Sequence, residues 1–368
     1  MVFNINAKQQ GGSETMKRKT LKFAGILLGI ALLTAGVAVS SPESAEAATY
    51  AKSISVTDSA YGANGSDNKG DSEAIQKALN EAINTDGTLL VKVPAGTYFI
   101  DTGLAIYSDT TLQLEDGAKF VRTKFGEAML AGVHINPSTG KICEADGCTH
   151  GAYTQLDNVT ISGGTWDGNA EGNESKMYAI VFYFSHGKNL TIKDTTITNN
   201  NGMHMLTMDA MKDVSISKVT FSNCKFYTGT QKKAGYYTTT SINVAGMTDT
   251  QKREQAAGKE AIHFDFANSI TGAATPADDT NCQNISITGC TFKNVFAGIG
   301  AHHDDLKKGL MHKNVKVDQC VFTNIWGEAC NAYRVNGLTV TNNNVNGAAC
   351  TLNTKTAYNI SVKNNTIT

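Results

Sequence analysis

One short pattern constrains this chain more than any other feature: a corner-forming residue followed by alternating β-formers, seven times over. It reads Asn158-Val-Thr-Ile, Asn189-Leu-Thr-Ile, Asp213-Val-Ser-Ile, Asn284-Ile-Ser-Ile, Asn314-Val-Lys-Val, Gly337-Leu-Thr-Val and Asn359-Ile-Ser-Val, at intervals of 31, 24, 71, 30, 23 and 22 residues. Three short strands and their three turns consume about 22–24 residues. The shortest intervals therefore match one coil of a three-strand solenoid, and the longer ones match coils with insertions, the largest from Lys225 to Lys259. Each copy leads into a second strand and an Asn-rich turn (Thr198-Asn-Asn-Asn, Thr341-Asn-Asn-Asn, Lys363-Asn-Asn). Asn tolerates the left-handed backbone of a sharp corner and can ladder with copies above and below. Propellers and sandwiches also use many short strands, but a propeller blade takes about 40 residues. The 35 glycines and four prolines suit tight corners between continuously paired strands.

Upstream of the repeats, Ser72 is placed to cap a helix from about Glu73 to Ile83, with apolar residues at 75, 78, 79, 82 and 83. Such a helix would cover one open end of a stack. Short strands then follow at Leu89–Tyr98 and Thr110–Gly117. Earlier still, Met16-Lys-Arg-Lys-Thr-Leu-Lys, an apolar run from Phe23 to Val39 and an Ala45-x-Ala47 site make residues 16–47 a bacterial Sec-type signal peptide. The run is short for a membrane span and holds three glycines. The expectation is a secreted or cell-surface protein, with no stable membrane association after cleavage near Ala47. Residues 1–15 read as an extension or misassigned start ahead of a better initiating Met, and residues 49–368 as the solenoid domain.

The formal net charge is −1, from 32 basic and 33 acidic side chains. No basic field exists to hold a nucleic acid. Of the eight cysteines, Cys143 and Cys148 share a short polar loop where a small disulfide ring could close. Cys290 with Cys320, and Cys330 with Cys350, fall at matching places in successive repeats and read as stacked small core side chains.

The opening of the domain resembles a known superfamily. Asp58-Ser-Ala-Tyr-Gly-Ala-Asn-Gly, Asp71-Ser-Glu-Ala-Ile-Gln-Lys-Ala-Leu, Val93-Pro-Ala-Gly-Thr-Tyr, Leu112-Gln-Leu-Glu-Asp-Gly-Ala and Gly163-Gly-Thr-Trp-Asp-Gly-Asn look like the start of pectin-lyase-like proteins, polygalacturonase-type glycoside hydrolases included. The resemblance implies an all-β fold, a single-stranded right-handed parallel β-helix with an N-terminal capping helix. It says less about reaction, because that superfamily holds hydrolases, lyases, epimerases and phage depolymerases. The polygalacturonase strand signatures are not met: Ser185-His186-Gly187 comes too early, Asp304-Asp305 falls in a loop, and Tyr333-Arg334-Val335 replaces the basic motif. No catalytic residue is carried over from that family.

The site expectation comes from the segments preceding the motifs. Aligned at their first residues, Tyr178–Tyr183, His204–Asp209, Glu260–Asp265, Ala297–His302, Glu328–Tyr333 and Ala348–Asn353 form one sheet. Alternation points Ile180, Leu206, Ile262, Ile299, Cys330 and Cys350 inward, followed by Phe182, Met208, Phe264, Ala301, Ala332 and Leu352. The remaining positions face outward. His204 and Glu260 share one outward column, Thr207, His263 and Asn331 the next, and Asp209, Asp265, His302 and Tyr333 a third, with His303 and Arg334 alongside.

Stacked Asp209 and Asp265 repel each other, so stability alone does not favour them. Paired carboxyls are what glycosidic cleavage needs, one protonated to donate to the leaving oxygen and one ionised to activate water or attack the sugar. The leading expectation is a secreted glycoside hydrolase acting on an extracellular polysaccharide as a monomer. Asp209 and Asp265 form its acid and base pair, Glu260 and His263 are alternates or supports, and His204, His302, His303, Tyr333 and Arg334 bind sugar. The competing expectations are a uronate lyase or epimerase and a non-catalytic adhesive solenoid. No cofactor is expected and no metal ligands are assigned. A metal reading stays open beside this: His204, Asp209, His263, Asp265 and His302 could bind a divalent ion or, with Asp304 and Asp305, calcium.

Overall fold

Every copy of the recurring motif begins at a corner of the chain. Asn158, Asn189, Asp213, Asn284, Asn314 and Asn359 have φ between 52° and 56°, and Gly337 sits at 86°. Most other side chains would lose roughly 1–2 kcal/mol in this left-handed region. The corner side chains bond one another: Asn284 Nδ2 donates to Asp213 Oδ1 at 2.7 Å, and Asn314 Nδ2 to Asn284 Oδ1 at 2.9 Å. A second ladder runs through Asn324, Asn294 and Asn223, with bonds of 2.7 and 3.0 Å.

The computed structural model describes residues 49–134, 136, 139, 150–176, 180–225, 248–268, 276–303 and 309–368. The expected signal peptide at 16–47, the expected extension at 1–15, Cys143 and Cys148, Asp304 and Asp305, and Tyr227, Tyr236 and Tyr237 of the large insertion lie outside these residues. Thr49–Thr368 groups as one unit.

Strands between the corners pair in parallel, coil upon coil, on three faces. The first face is a ten-stranded parallel sheet among the described residues, running in chain order from Lys52–Ser55 to Tyr358–Lys363. The motif copies lie on it. The second face begins with Gly96–Ile100 and Ala118–Arg122, and continues through Thr196–Thr198 and Thr291–Val295. The third face stacks Leu104–Ile106, Leu130–Gly132, Phe182–Ser185, Leu206–Asp209, Glu260–Asp265 and Ala297–Ala301. Two long strands, Val321–Tyr333 and Asn344–Lys355, pass from the second face to the third and join both into one sheet.

Side chains inside the coils form apolar columns. Phe221, Phe292 and Phe322 stack face to face with centroids 5.1 and 4.8 Å apart. Phe120, Trp166 and Phe182 meet edge to face at 4.7 and 4.6 Å. Cys290 and Cys320 are buried free thiols in adjacent coils, as expected of core filling. Cys330 and Cys350 do not stack: Cys330 pairs with Leu352, and Cys350 with Glu328, beyond a register shift between Ile325 and Glu328.

The capping helix α1 spans Ser72–Leu79 and passes into a 3-10 turn over Asn80–Asn84, so the expected helix ends a turn early. Ile75, Ala78 and Leu79 are fully buried, while Ile83 is exposed. Ser72 does not cap it. Asp71 precedes the helix, and the Ser72 hydroxyl accepts instead from the backbone N–H groups of Asp101 and Thr102, both at 3.0 Å. Gln76 closes the first strand of the third face: its Oε1 accepts from Ala105 N at 2.7 Å and its Nε2 donates to Ala105 O at 3.1 Å. The side-chain amide thus substitutes for a missing strand on an edge that would otherwise stay open.

Two aspects of the expected column alignment need correction. Phe182, not Ile180, pairs with Leu206, which puts Tyr183 beside Thr207 and Ser185 beside Asp209. Alternation also fails where the strands begin: Met205, Ala261 and Ala329 were placed outward, yet each joins the same core as Leu206, Ile262 and Cys330. The chain turns a corner there, so two successive side chains enter the core and the residue before them is free to face out.

Candidate functional site

The third face carries the expected outward columns in register. Asp209 pairs with Asp265 and Thr207 with His263, while Glu260 pairs with Ala297 and His263 with Gly300. Gly300 in turn pairs with Asn331. A Cβ on Gly300 would lie 1.8 Å from the Asn331 carbonyl oxygen, so only glycine lets the coils approach this closely.

Three imidazoles stack along these columns. The rings of His204 and His263 lie 4.1 Å apart and 10° from parallel, and those of His263 and His302 4.6 Å apart. His204 Nδ1 meets the Glu260 carbonyl oxygen at 2.9 Å, as donor to that acceptor. The Glu260 carboxylate accepts from His302 Nδ1 at 3.1 Å on Oε2 and from Asn331 Nδ2 at 3.1 Å on Oε1. His263 differs: both ring nitrogens are buried and neither has a hydrogen-bond partner.

Electrostatics divide these groups. Burial would raise the Glu260 carboxyl, but the charge and hydrogen bond of His302, with His204 beside it, bring it down to about 2, so it is ionised. Burial lowers His204 to about 4 despite Glu260, and drives His263 well below the usual imidazole value. For His302, burial is outweighed by Glu260, and the ring is held protonated more strongly than usual.

At the other end of the same strands, Asp209 and Asp265 are each 2% exposed. Burial pushes Asp209 up to about 7 against a hydrogen bond from the Tyr183 hydroxyl, which donates to Oδ2 at 3.0 Å. Burial and then the Asp209 charge raise Asp265 well above the carboxylate range. Asp265 Oδ1 accepts from Phe266 N at 2.8 Å, while its Oδ2 lies 3.5 Å from His303 Nε2 and 3.6 Å from His263 Nε2.

Eight of the nine expected site residues lie on or beside this face. His204, Glu260, His263 and His302 gather in one cluster, with Asp209, Asp265 and His303 beside it: the His302 and His303 rings lie 4.4 Å apart. Tyr333 Oη is joined to Asn331 through Asn353, whose Nδ2 reaches both. Arg334 is not among them. It occupies a corner at φ 52°, is buried, and sends Nη1 to the Leu310 carbonyl at 3.4 Å beside His312.

Sequence reasoning assigned no role to Tyr183, because a misplaced register hid its contact with Asp209. It also missed Asn331 as a donor to Glu260, although Asn331 was already visible in the His263 column. A second helix, α2 (Asp249–Ala256), closes a capping box between Thr248 and Gln251, and its Arg253 pairs with Glu328 at 2.9 Å.

Comparison with known proteins agrees with this architecture. A family model described as rhamnogalacturonase A/epimerase, pectate lyase-like matches residues 53–124. No curated protein matches the chain. A crystal structure of PfbA, a surface adhesin of Streptococcus pneumoniae, is 20% identical with a TM-score of 0.58, over 80% of this chain and 61% of its own. The chain thus spans about three fifths of that protein. A second PfbA structure is 16% identical with a TM-score of 0.58, over 86% of this chain and 97% of its own. An iota-carrageenase of family GH82 from A. fortis gives 14% identity and a TM-score of 0.47, over 79% of this chain and 56% of its own. The fold is the right-handed parallel β-helix, the architecture that these solved structures share.

Proposed function

We propose that the third face binds an extracellular polysaccharide and hydrolyses its glycosidic bonds, with Asp265 as general acid and Asp209 as base. One observation carries the reading: two carboxyl groups are register partners on adjacent strands, both buried, in a row of histidines. Such a pair weakens the fold through desolvation and repulsion, so its presence calls for a chemical use. Asp265, raised by burial and then by the Asp209 charge and oriented by Phe266 N–H, keeps its proton and passes it to the leaving glycosidic oxygen. Asp209, which burial raises only to about 7, ionises first and takes a proton from the attacking water.

Glycan adhesion without turnover is the second reading. The same burial favours it, because carboxyls 2% exposed are poorly placed to touch a sugar.

The experiment is a screen of the secreted chain against pectic, uronate and neutral polysaccharides, reading reducing ends and ultraviolet absorbance together. New reducing ends without absorbance near about 235 nm, lost in Asp265→Asn, support hydrolysis; absorbance would mark proton abstraction and elimination instead. Binding with no product of either kind identifies the adhesive. Full activity in Asp265→Asn removes the carboxylate assignment.

A further inference from the structure

We propose that His204, Glu260, His263 and His302 form a binding site for a divalent first-row transition metal, zinc first among them. The inference stands apart from the hydrolytic reading and uses neither Asp209 nor Asp265 as a ligand.

One donor atom from each of the four residues lies within 4.8 Å of every other. A tetrahedral cage with bonds of about 2.1 Å has edges of about 3.4 Å, so small side-chain rotations close the set around an ion. His204, Glu260 and His263 are each at least 95% buried. Glu260 and His263 lie on one strand, and His204 and His302 flank the strands paired on either side of it, so the sheet sets the spacing of the donors.

The unpartnered His263 is the independent sign of a ligand. A histidine buried for packing alone keeps at least one ring nitrogen hydrogen-bonded, as His204 does with the Glu260 carbonyl. His263 keeps neither, and Asp265 Oδ2, 3.6 Å from Nε2, is beyond hydrogen-bond reach. Thr207, its register partner, also buries a hydroxyl without a partner. An ion on the imidazole with a water beside it would satisfy both groups.

The surroundings match those of metal sites. Asn331 Nδ2 holds Oε1 of Glu260, which orients the carboxylate, and the Glu260 carbonyl fixes one nitrogen of His204. Three imidazoles and one carboxylate suit zinc, cobalt, nickel or copper. Calcium prefers six to eight oxygens, so this nitrogen-rich set favours a transition metal over calcium.

The test uses the secreted full chain, stripped with a chelator, dialysed and titrated with ZnCl2 by calorimetry and with CoCl2 by visible absorption. The expected result is one equivalent bound at about micromolar dissociation constant or tighter, with the absorption of four-coordinate cobalt. Glu260→Gln and His263→Ala should each weaken binding more than about a hundredfold, since partners of ligands alone are worth about ten- to a hundredfold. Asn331→Ala should fall in that lower range, and Asp209→Asn should bind like the parent chain. Circular dichroism confirms that each variant is folded, and the near-isosteric Glu260→Gln serves if His263→Ala is not. No binding at this level, or undiminished binding in folded Glu260→Gln, overturns the site. No readout depends on polysaccharide cleavage, so either proposal can fail alone.

Discussion

Tyr183 donates its hydroxyl to Asp209 Oδ2 at 3.0 Å, although its own register partner is Thr207, two residues earlier on that strand. The bond is diagonal across the sheet. It favours the ionised carboxylate, against the burial that favours the acid. Tyr183→Phe should raise the Asp209 pKa and move the acid limb of the rate profile to higher pH. A limb that stays in place or moves down would show that Tyr183 does not govern this proton.

Asp209 also makes a prediction about stability. Its folded value of about 7 lies above the ordinary carboxyl value of 3.8, so the unfolded chain ionises first as pH rises. Stability tied to this group is intact below about pH 4 and is lost progressively as pH rises to about 7. Asp209→Asn has no such loss. The variant should unfold at higher urea concentration than the parent at pH 7, by on the order of 4 kcal/mol at most. The gap should shrink at pH 4. An equal gap at both values would locate the effect in packing instead.

Gly300→Ala should destabilise the site end of the third face by about 1–3 kcal/mol, because the new methyl group meets the Asn331 backbone at 1.8 Å. Denaturant midpoints measure this. A neutral substitution would mean that the two coils can separate without loss.

Gln76→Leu keeps the helix and most of the volume but removes both bonds to Ala105. Two buried backbone groups then lose their partners, at about 1–3 kcal/mol each. Amide exchange at Ala105 should quicken while Leu112 and Val159, deeper in the stack, keep their protection. Unchanged exchange at Ala105 would show that water or another group already covers the edge.

Much of the fold was legible because its corners are written in residue type. Asn and Gly at the motif starts occupy left-handed backbone that few residues tolerate, so their spacing reports the coil directly. Registration of the third face was harder to read. Assigning Ile180 to the Leu206 position is a two-residue slip, and a two-residue slip leaves every side chain on its original face. Alternation cannot detect it. The misplaced Cys350 is the same error beyond the shift near Ile325. Crowding of Asp209 with Asp265 was visible, since both follow an apolar pair in equivalent segments. The grouping of Glu260 with three histidines was not, because His302 lies past the end of its strand and reaches back over His263.

The corner ladder acts as a ruler that ignores how much chain lies between its marks. Asp213 and Asn284 are 71 residues apart and share a bond of 2.7 Å, while Asn284 and Asn314, 30 apart, share one of 2.9 Å. An insertion between two marks leaves the next coil in place. Segments between the marks can therefore be lengthened, shortened or exchanged while the columns keep their positions, so the sequence around them can change without moving the floor on which Asp209, Asp265 and the histidines stand.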